Sequence, residues 1–243
     1  VGDNFTDPKI IEQLKGHTAI GHNRYSTTGA PLIRNIQPFF ADLHTGGLGI
    51  AHNGNLTNAI SIREKMVRDG AIFQTTSDTE TLVQLIARSK RIKTIDKIID
   101  AIFQVHGGYA LTIMTNKKLV GVRDPYGIRP LILGKLKDWY ILSSETCALD
   151  IIGAEFVREI ENGEMVVIDK NGIESIKPFP KVNPRPCVFE YVYFSRPDSI
   201  VGGKAVHEYR KRLGEQLSKE MKVEADMVSA VPDSGIPAAI GYS

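Results

Sequence analysis

Cysteine is scarce: Cys147 and Cys187 are the only two in 243 residues. Two thiols cannot build a disulfide framework, so the fold must rest on a packed core, and a reducing cytosol suits it. An excess of charge of one sign is missing too. Thirty Lys and Arg against 28 Asp and Glu leave a net charge of +2, too small to argue for a nucleic-acid partner or an anionic membrane. No run approaches the ~20 apolar residues of a membrane helix. Val1 to Thr6 lacks the basic segment and apolar core of a signal peptide. There are no internal repeats and no low-complexity tracts. These absences point to a cytoplasmic globular protein.

What is present is ordinary for that class: 42% hydrophobic and 24% charged residues. The chain starts at Val1 rather than Met and stops at Ser243, inside what reads as the opening of a helix. It is therefore expected to be an internal piece of a longer protein.

Residues Ala19–Tyr25 and Leu48–Ala51 read as short strands, and Leu56–Arg68 as a helix with Leu56, Ile60, Met66 and Val67 as its apolar positions. Ser77-Asp-Thr-Glu80 has the spacing of a capping box, in front of a helix carrying Leu82, Val83, Leu85 and Ile86. A third helix, Thr94–Val105, sets Ile95, Ile98, Ile99 and Ile102 on one face. Short β-rich runs follow at close spacing: Tyr109–Thr115, Lys118–Arg123, Pro130–Gly134, Trp139–Ser143 and Glu164–Ile168. Parallel crossovers need a dozen or more residues, so these runs predict antiparallel meanders flanked by helices, an α+β arrangement. Four prolines, Pro178, Pro180, Pro184 and Pro186, then stiffen ten residues. The boundary falls there: 1–182 as a first domain, 183–243 as the start of a second. Beyond it, a strand Phe189–Ser195, a helix Gly203–Met221 and a strand Met227–Val231 running into a glycine turn read as the opening of a parallel α/β domain.

Four blocks carry candidate chemistry. In Gly21-His-Asn-Arg-Tyr-Ser-Thr-Thr-Gly29, Arg24 offers a bidentate fork for a carboxylate, and Ser26, Thr27 and Thr28 add hydroxyls. The same residues also suit a surface arginine before a Thr-rich turn. In Ala51-His-Asn-Gly-Asn-Leu-Thr-Asn58, Asn-Gly is a turn signal. Equally, the Asn53 side-chain N–H and the Gly54 backbone N–H can converge on a developing oxyanion. In Thr75–Glu80, Asp78 either belongs to the helix start or holds a substrate ammonium. Arg123-Asp-Pro-Tyr-Gly-Ile-Arg-Pro-Leu131 reads as a structural turn between strands, stiffened by Pro125 and Gly127.

In order and spacing the four blocks resemble the glutaminase domain of the class II, N-terminal-nucleophile, glutamine amidotransferases. His22–Gly29, Phe189–Ser199 and Val231–Gly235 resemble the phosphoribosylpyrophosphate branch of that family, over about residues 2–243. The resemblance implies a four-layer α-β-β-α glutaminase domain followed by the start of an α/β type I phosphoribosyltransferase domain. It implies transfer of ammonia from glutamine to phosphoribosyl pyrophosphate, giving phosphoribosylamine, glutamate and pyrophosphate, at the first step of purine synthesis. Arg24 would clamp the glutamine carboxylate with Thr27 as a weaker contact, Asp78 would hold the ammonium, and Asn53 and Gly54 would form the oxyanion hole. Arg24 and Asp78 should then lie within about 10 Å of each other, the scale of a small-ligand pocket.

The family nucleophile is the N-terminal cysteine of the mature chain. Position 1 here is Val, and neither internal cysteine has a free α-amine to serve as base. This piece alone is expected to be inactive. Mg2+ would accompany phosphoribosyl pyrophosphate on residues outside this chain. Cys187 matches a ligand position of the subfamily with a 4Fe-4S cluster, or is a free thiol at a domain junction; Cys147 reads as a core thiol. Purine nucleotides as feedback inhibitors and a homo-tetramer are further implications. Two rival readings remain: another class II amidotransferase, and a non-catalytic relative that has lost its nucleophile.

Overall fold

The computed structural model describes residues 7–23 and 32–243. Its centre is a six-stranded antiparallel sheet built from β1 (Phe39–Leu43), β2 (Gly46–Leu56), β3 (Gly107–Thr115), β4 (Leu119–Arg123), β8 (Met165–Asp169) and β9 (Gly172–Ile176), in the order β1-β2-β3-β4-β8-β9. A three-stranded antiparallel sheet, β6-β5-β7, consists of β6 (Trp139–Ser143), β5 (Ile132–Leu136) and β7 (Glu155–Glu159). Close strand spacing in the sequence was the signal for antiparallel pairing, and every ladder is antiparallel.

Side-chain alternation along β2 and β3 divides the interior into two cores. After a short first helix, α1 (Pro8–Gln13), and the first two strands come the helices α2 (Ala59–Arg68), α3 (Thr79–Arg88) and α4 (Thr94–Ile102); Leu48, Ile50, Leu111 and Ile113 face these three, joining Leu82, Ile86, Ile98 and Ile102. Ala110 and Val166 face the second sheet, where they meet Leu131, Leu133 and Ile160. The outer face of that second sheet carries the short α5 (Cys147–Ile152): a Cβ on Gly134 would sit 2.5 Å from a methyl of Leu149.

Several expectations need correction. Residues 19–23 form no strand. Helix α2 begins at Ala59, because β2 runs on through Leu56. Its core face is therefore Ala59, Ile62 and Met66, while Ile60 and Val67 are exposed. The capping box does not close. Ser77 Oγ accepts from Thr79 N at 3.3 Å, but Glu80 reaches past Ser77 to the backbone N–H groups of Gln74 and Thr75, each at 2.8 Å.

The larger corrections lie after the prolines. Phe189–Ser195 is not a strand; Glu190–Phe194 is a single helical turn of the wide, π type. Met227–Val231 is irregular. An apolar run becomes a strand only where a neighbour takes its backbone hydrogen bonds, and among the described residues none flanks either run. A two-residue hairpin, β10 (Ile200–Val201) with β11 (Lys204–Ala205), leads into α6 (Val206–Glu220), which packs on α7 (Ile236–Tyr242). Those helices approach through glycine: a Cβ on Gly214 or Gly241 would lie 1.9 Å from a carbonyl oxygen of the other helix. No parallel sheet opens in this segment. Among the described residues, no helix is long and apolar enough to cross a membrane.

Candidate functional site

A cleft of about 780 Å³ opens at the C-terminal end of β2. Residues from β2 (His52, Asn53, Gly54), from the α3 entry (Asp78) and from the turn before β5 (Arg129) line it together with Cys187. The parity of β2 decides what each residue meets. His52 shares the helix-facing side with Ile50, and Asn53 shares the sheet-facing side with its cross-strand partner Ala110.

On the helix side His52 is 3% exposed. Its Nδ1 lies 3.0 Å from Thr79 Oγ1 and 3.7 Å from Asp78 Oδ1, and its backbone N–H donates to Gln37 Oε1 at 2.8 Å. Nε2 is buried without a hydrogen-bond partner among the described residues. Burial lowers the imidazole pKa to about 4, against the pull of Asp78 and with help from the charges of His22 and Arg129. The ring is neutral at pH 7. Asp78 begins α3 without capping it; Leu56 N donates to its Oδ2 at 2.8 Å. That bond turns the carboxylate back toward the end of β2 and into the cleft.

On the sheet side, Asn53 Nδ2 donates to Ser144 Oγ at 3.3 Å, and Arg129 donates to Asn53 Oδ1. Gly54 has φ +141°, in the half of conformational space that favours glycine, and a Cβ there would meet the Gly108 carbonyl oxygen at 2.1 Å. No other residue fits without moving β3. An oxyanion hole needs an N–H donor approached closely by substrate, and this corner supplies an amide side chain beside a bare backbone.

Residues 22–150 match the family model described as a glutamine amidotransferase domain, more than half of the chain. The chain belongs to the glutamine amidotransferase domain family. It is 52% identical over 248 residues to the amidophosphoribosyltransferase of Rhizobium etli, covering all of this chain and 50% of that protein. A solved structure described as the allosteric regulatory enzyme of purine biosynthesis superposes with TM-score 0.93 at 44% identity, over 99% of this chain and 52% of that one. The Bacillus subtilis glutamine phosphoribosylpyrophosphate amidotransferase, complexed with ADP and GMP, gives TM-score 0.85 at 45% identity, over 91% of this chain and 48% of that one. The chain spans about half the length of the curated relatives it matches.

Of the residues singled out in this glutamine amidotransferase chain, the fold brings Asn53, Gly54, Asp78 and Cys187 into one cleft. Arg24 and Thr27 lie outside the described residues, and with them the expected Arg24–Asp78 separation. Cys147 is buried at the start of α5, away from the cleft, and burial pushes its thiol pKa up. A four-iron cluster takes four thiolate ligands. Both cysteines are free, and among the described residues no three His, Cys, Asp or Glu side chains gather where they could hold a metal ion. The residues present do not complete such a site.

Sequence reasoning missed His52, Arg129 and Glu190. His52 was within reach: it alternates with Asn53 on a strand, so it had to face the helices. Nothing local links Arg129 to Asn53, which is 76 residues away.

Proposed function

We propose that this chain is the glutaminase part of an amidophosphoribosyltransferase, with the four-layer glutaminase fold over about 1–182 and a phosphoribosyltransferase domain beginning near 183. The observation that carries the reading is the convergence of Asn53, Gly54 and Asp78, from a strand and a helix start, on one cleft. Asp78 would hold the ammonium of glutamine, and Arg24, with Thr27, its carboxylate. Asn53 Nδ2 and the Gly54 N–H would stabilise the oxyanion as the cysteine thiolate of the mature N-terminus attacks the amide. Ammonia leaves and water releases glutamate from the thioester. Cys187 reaches the cleft but has no free α-amine, so it is not that nucleophile.

In the intact enzyme the ammonia attacks C1 of phosphoribosyl pyrophosphate, bound with Mg2+, and expels pyrophosphate. A cluster-ligand role for Cys187 belongs to the proposal only if three further thiolates come from beyond these 243 residues, and no step passes through it. A cytoplasmic homo-tetramer regulated by purine nucleotides completes the reading; the Bacillus subtilis relative is described in complex with ADP and GMP.

In the full-length enzyme, Asn53→Ala should lower the glutamine-dependent rate roughly 10²–10³-fold, the usual cost of one oxyanion donor. Synthesis from free ammonia should persist. Steady-state rates with both nitrogen sources decide it: an equal fall in the two makes Asn53 a structural residue and removes the oxyanion assignment.

A further inference from the structure

Most of the block Arg123–Leu131 is the structural turn its sequence suggests. Asp124, fully buried, accepts backbone N–H groups from Tyr109, Tyr126, Ile128 and Arg129 at 3.0–3.3 Å. Arg123 ties down the carbonyls of Arg129 and Ile160 at 2.9 and 2.7 Å. Arg129 itself points elsewhere. Its guanidinium donates to Asn53 Oδ1, pairs with Glu190 at 2.7 Å, and stands 4.9 Å from the centroid of the Phe194 ring. Both ends of the ion pair are sheltered, at 17% and 5% exposure.

A guanidinium has donors only, so the Asn53 carboxamide must turn its oxygen toward Arg129. Its NH2 then points away from the guanidinium, with one N–H donating to Ser144 Oγ at 3.3 Å and the second left for the cleft. The terminal torsion of asparagine is broad and nearly two-fold, so nothing within the side chain itself prefers that orientation. The flipped amide would aim a carbonyl oxygen at the developing oxyanion and repel it.

We propose that Arg129 is a positioning residue that fixes the Asn53 carboxamide with its nitrogen toward the cleft, and that Glu190 and Phe194 hold Arg129 there from beyond the proline-rich stretch. The inference rests on the glutaminase reading above. It makes the oxyanion donor depend on the turn Glu190–Phe194, so a displacement of that turn would reach the glutamine site through one side chain. Glu190 is suited to the part: it is buried, and Ser195 Oγ donates to its other oxygen at 3.1 Å.

The test is a double-mutant cycle on glutamine hydrolysis by the full-length enzyme. Arg129→Met should lower kcat roughly 10–100-fold with KM for glutamine changed less than about threefold, because the misplaced donor acts in the transition state. Arg129→Lys, which keeps a cationic donor but not the planar fork, should recover part of that loss. In an Asn53→Ala background, Arg129→Met should cost less than about twofold, since its effect passes through the missing amide. Full kcat in Arg129→Met overturns the inference, as does an equal cost in both backgrounds, which would mark Arg129 as structural. If Arg129→Met does not fold, Arg129→Lys and Arg129→Gln carry the same cycle. Unchanged kcat in Asn53→Ala alone would instead defeat the oxyanion assignment, and the inference with it.

Discussion

The segment before the prolines and the one after them are held by different forces. Up to residue 182 the chain buries two apolar cores, one between sheet and helices and one between sheets. After it, Val206 and Pro237 are the buried apolar side chains among the described residues, while Val188, Phe189, Val192, Leu217, Met227 and Val231 are exposed. What attaches this second segment to the first is polar. Glu145 accepts from Arg196 N and Ser199 Oγ, each at 2.7 Å. Thr146 Oγ1 accepts from Ile200 N at 2.8 Å, and Glu159 from Gly202 N at 2.7 Å. Hydrophobic burial is non-directional and sums over area, so it makes the first segment a stable frame. Hydrogen bonds are directional and modest in net energy, so they define where the second segment sits more than they stabilise it. The cleft lies where the two meet, with Asn53 on the frame and Glu190 and Phe194 on the attached segment.

The largest effect should come from the frame. Leu111 is fully buried between β3 and the helices, and Leu111→Ala should cost up to about 5 kcal/mol, from lost burial plus the cavity left behind. Urea unfolding measures it; a loss below about 1 kcal/mol would mean the core is loose and the contrast false.

Next comes the acid side of the stability profile. His52 stays neutral in the fold down to about pH 4, against 6.5 ordinarily. Between those values the unfolded chain binds a proton that the folded chain refuses. Stability is therefore lost as pH falls from about 6.5 to about 4, with no further loss from this group below that, and the span is worth at most about 3 kcal/mol. His52→Asn keeps a polar atom near Thr79 and should flatten this part of the curve. Unfolding midpoints across that range test it, and an unchanged slope would mean His52 is not the group responsible.

The smallest effect belongs to the attached segment. Leu217 on α6 is 48% exposed, so Leu217→Ala should change stability by less than about 1 kcal/mol. A loss comparable to that of Leu111→Ala would show that α6 shares the frame's core in solution.

Much of the first segment was legible in the sequence because its cues are local. Ile95, Ile98, Ile99 and Ile102 recur at helical spacing and all pack on the core. All the strands from Tyr109 to Ile168 except β7 were found within a few residues because β-rich runs alternate with turn pairs. Strands β1, β7 and β9 escaped: β1 alternates between half-buried and exposed, but its outward Phe40 hides that in the composition, β7 buries no residue fully, and β1 and β9 are the edges of their sheet. Phe189–Ser195 and Met227–Val231 misled for the opposite reason. They have the composition of strands, but composition states a preference for a pleated, half-buried surface, not the presence of a neighbour.

By itself, the sequence determined the antiparallel α+β character of the first segment, the core faces of α3 and α4, and the short blocks holding Asn53, Gly54 and Asp78. These follow from periodicity and turn chemistry, which act over a few residues. Only the tertiary structure decided which of those blocks share a cleft. It turned Asp78 from a helix cap into an acceptor for Leu56 N, and it set Arg129 between Asn53 and Glu190. Side chains separated by tens of residues meet because sheet register and core packing fix their directions together, and no local pattern encodes that.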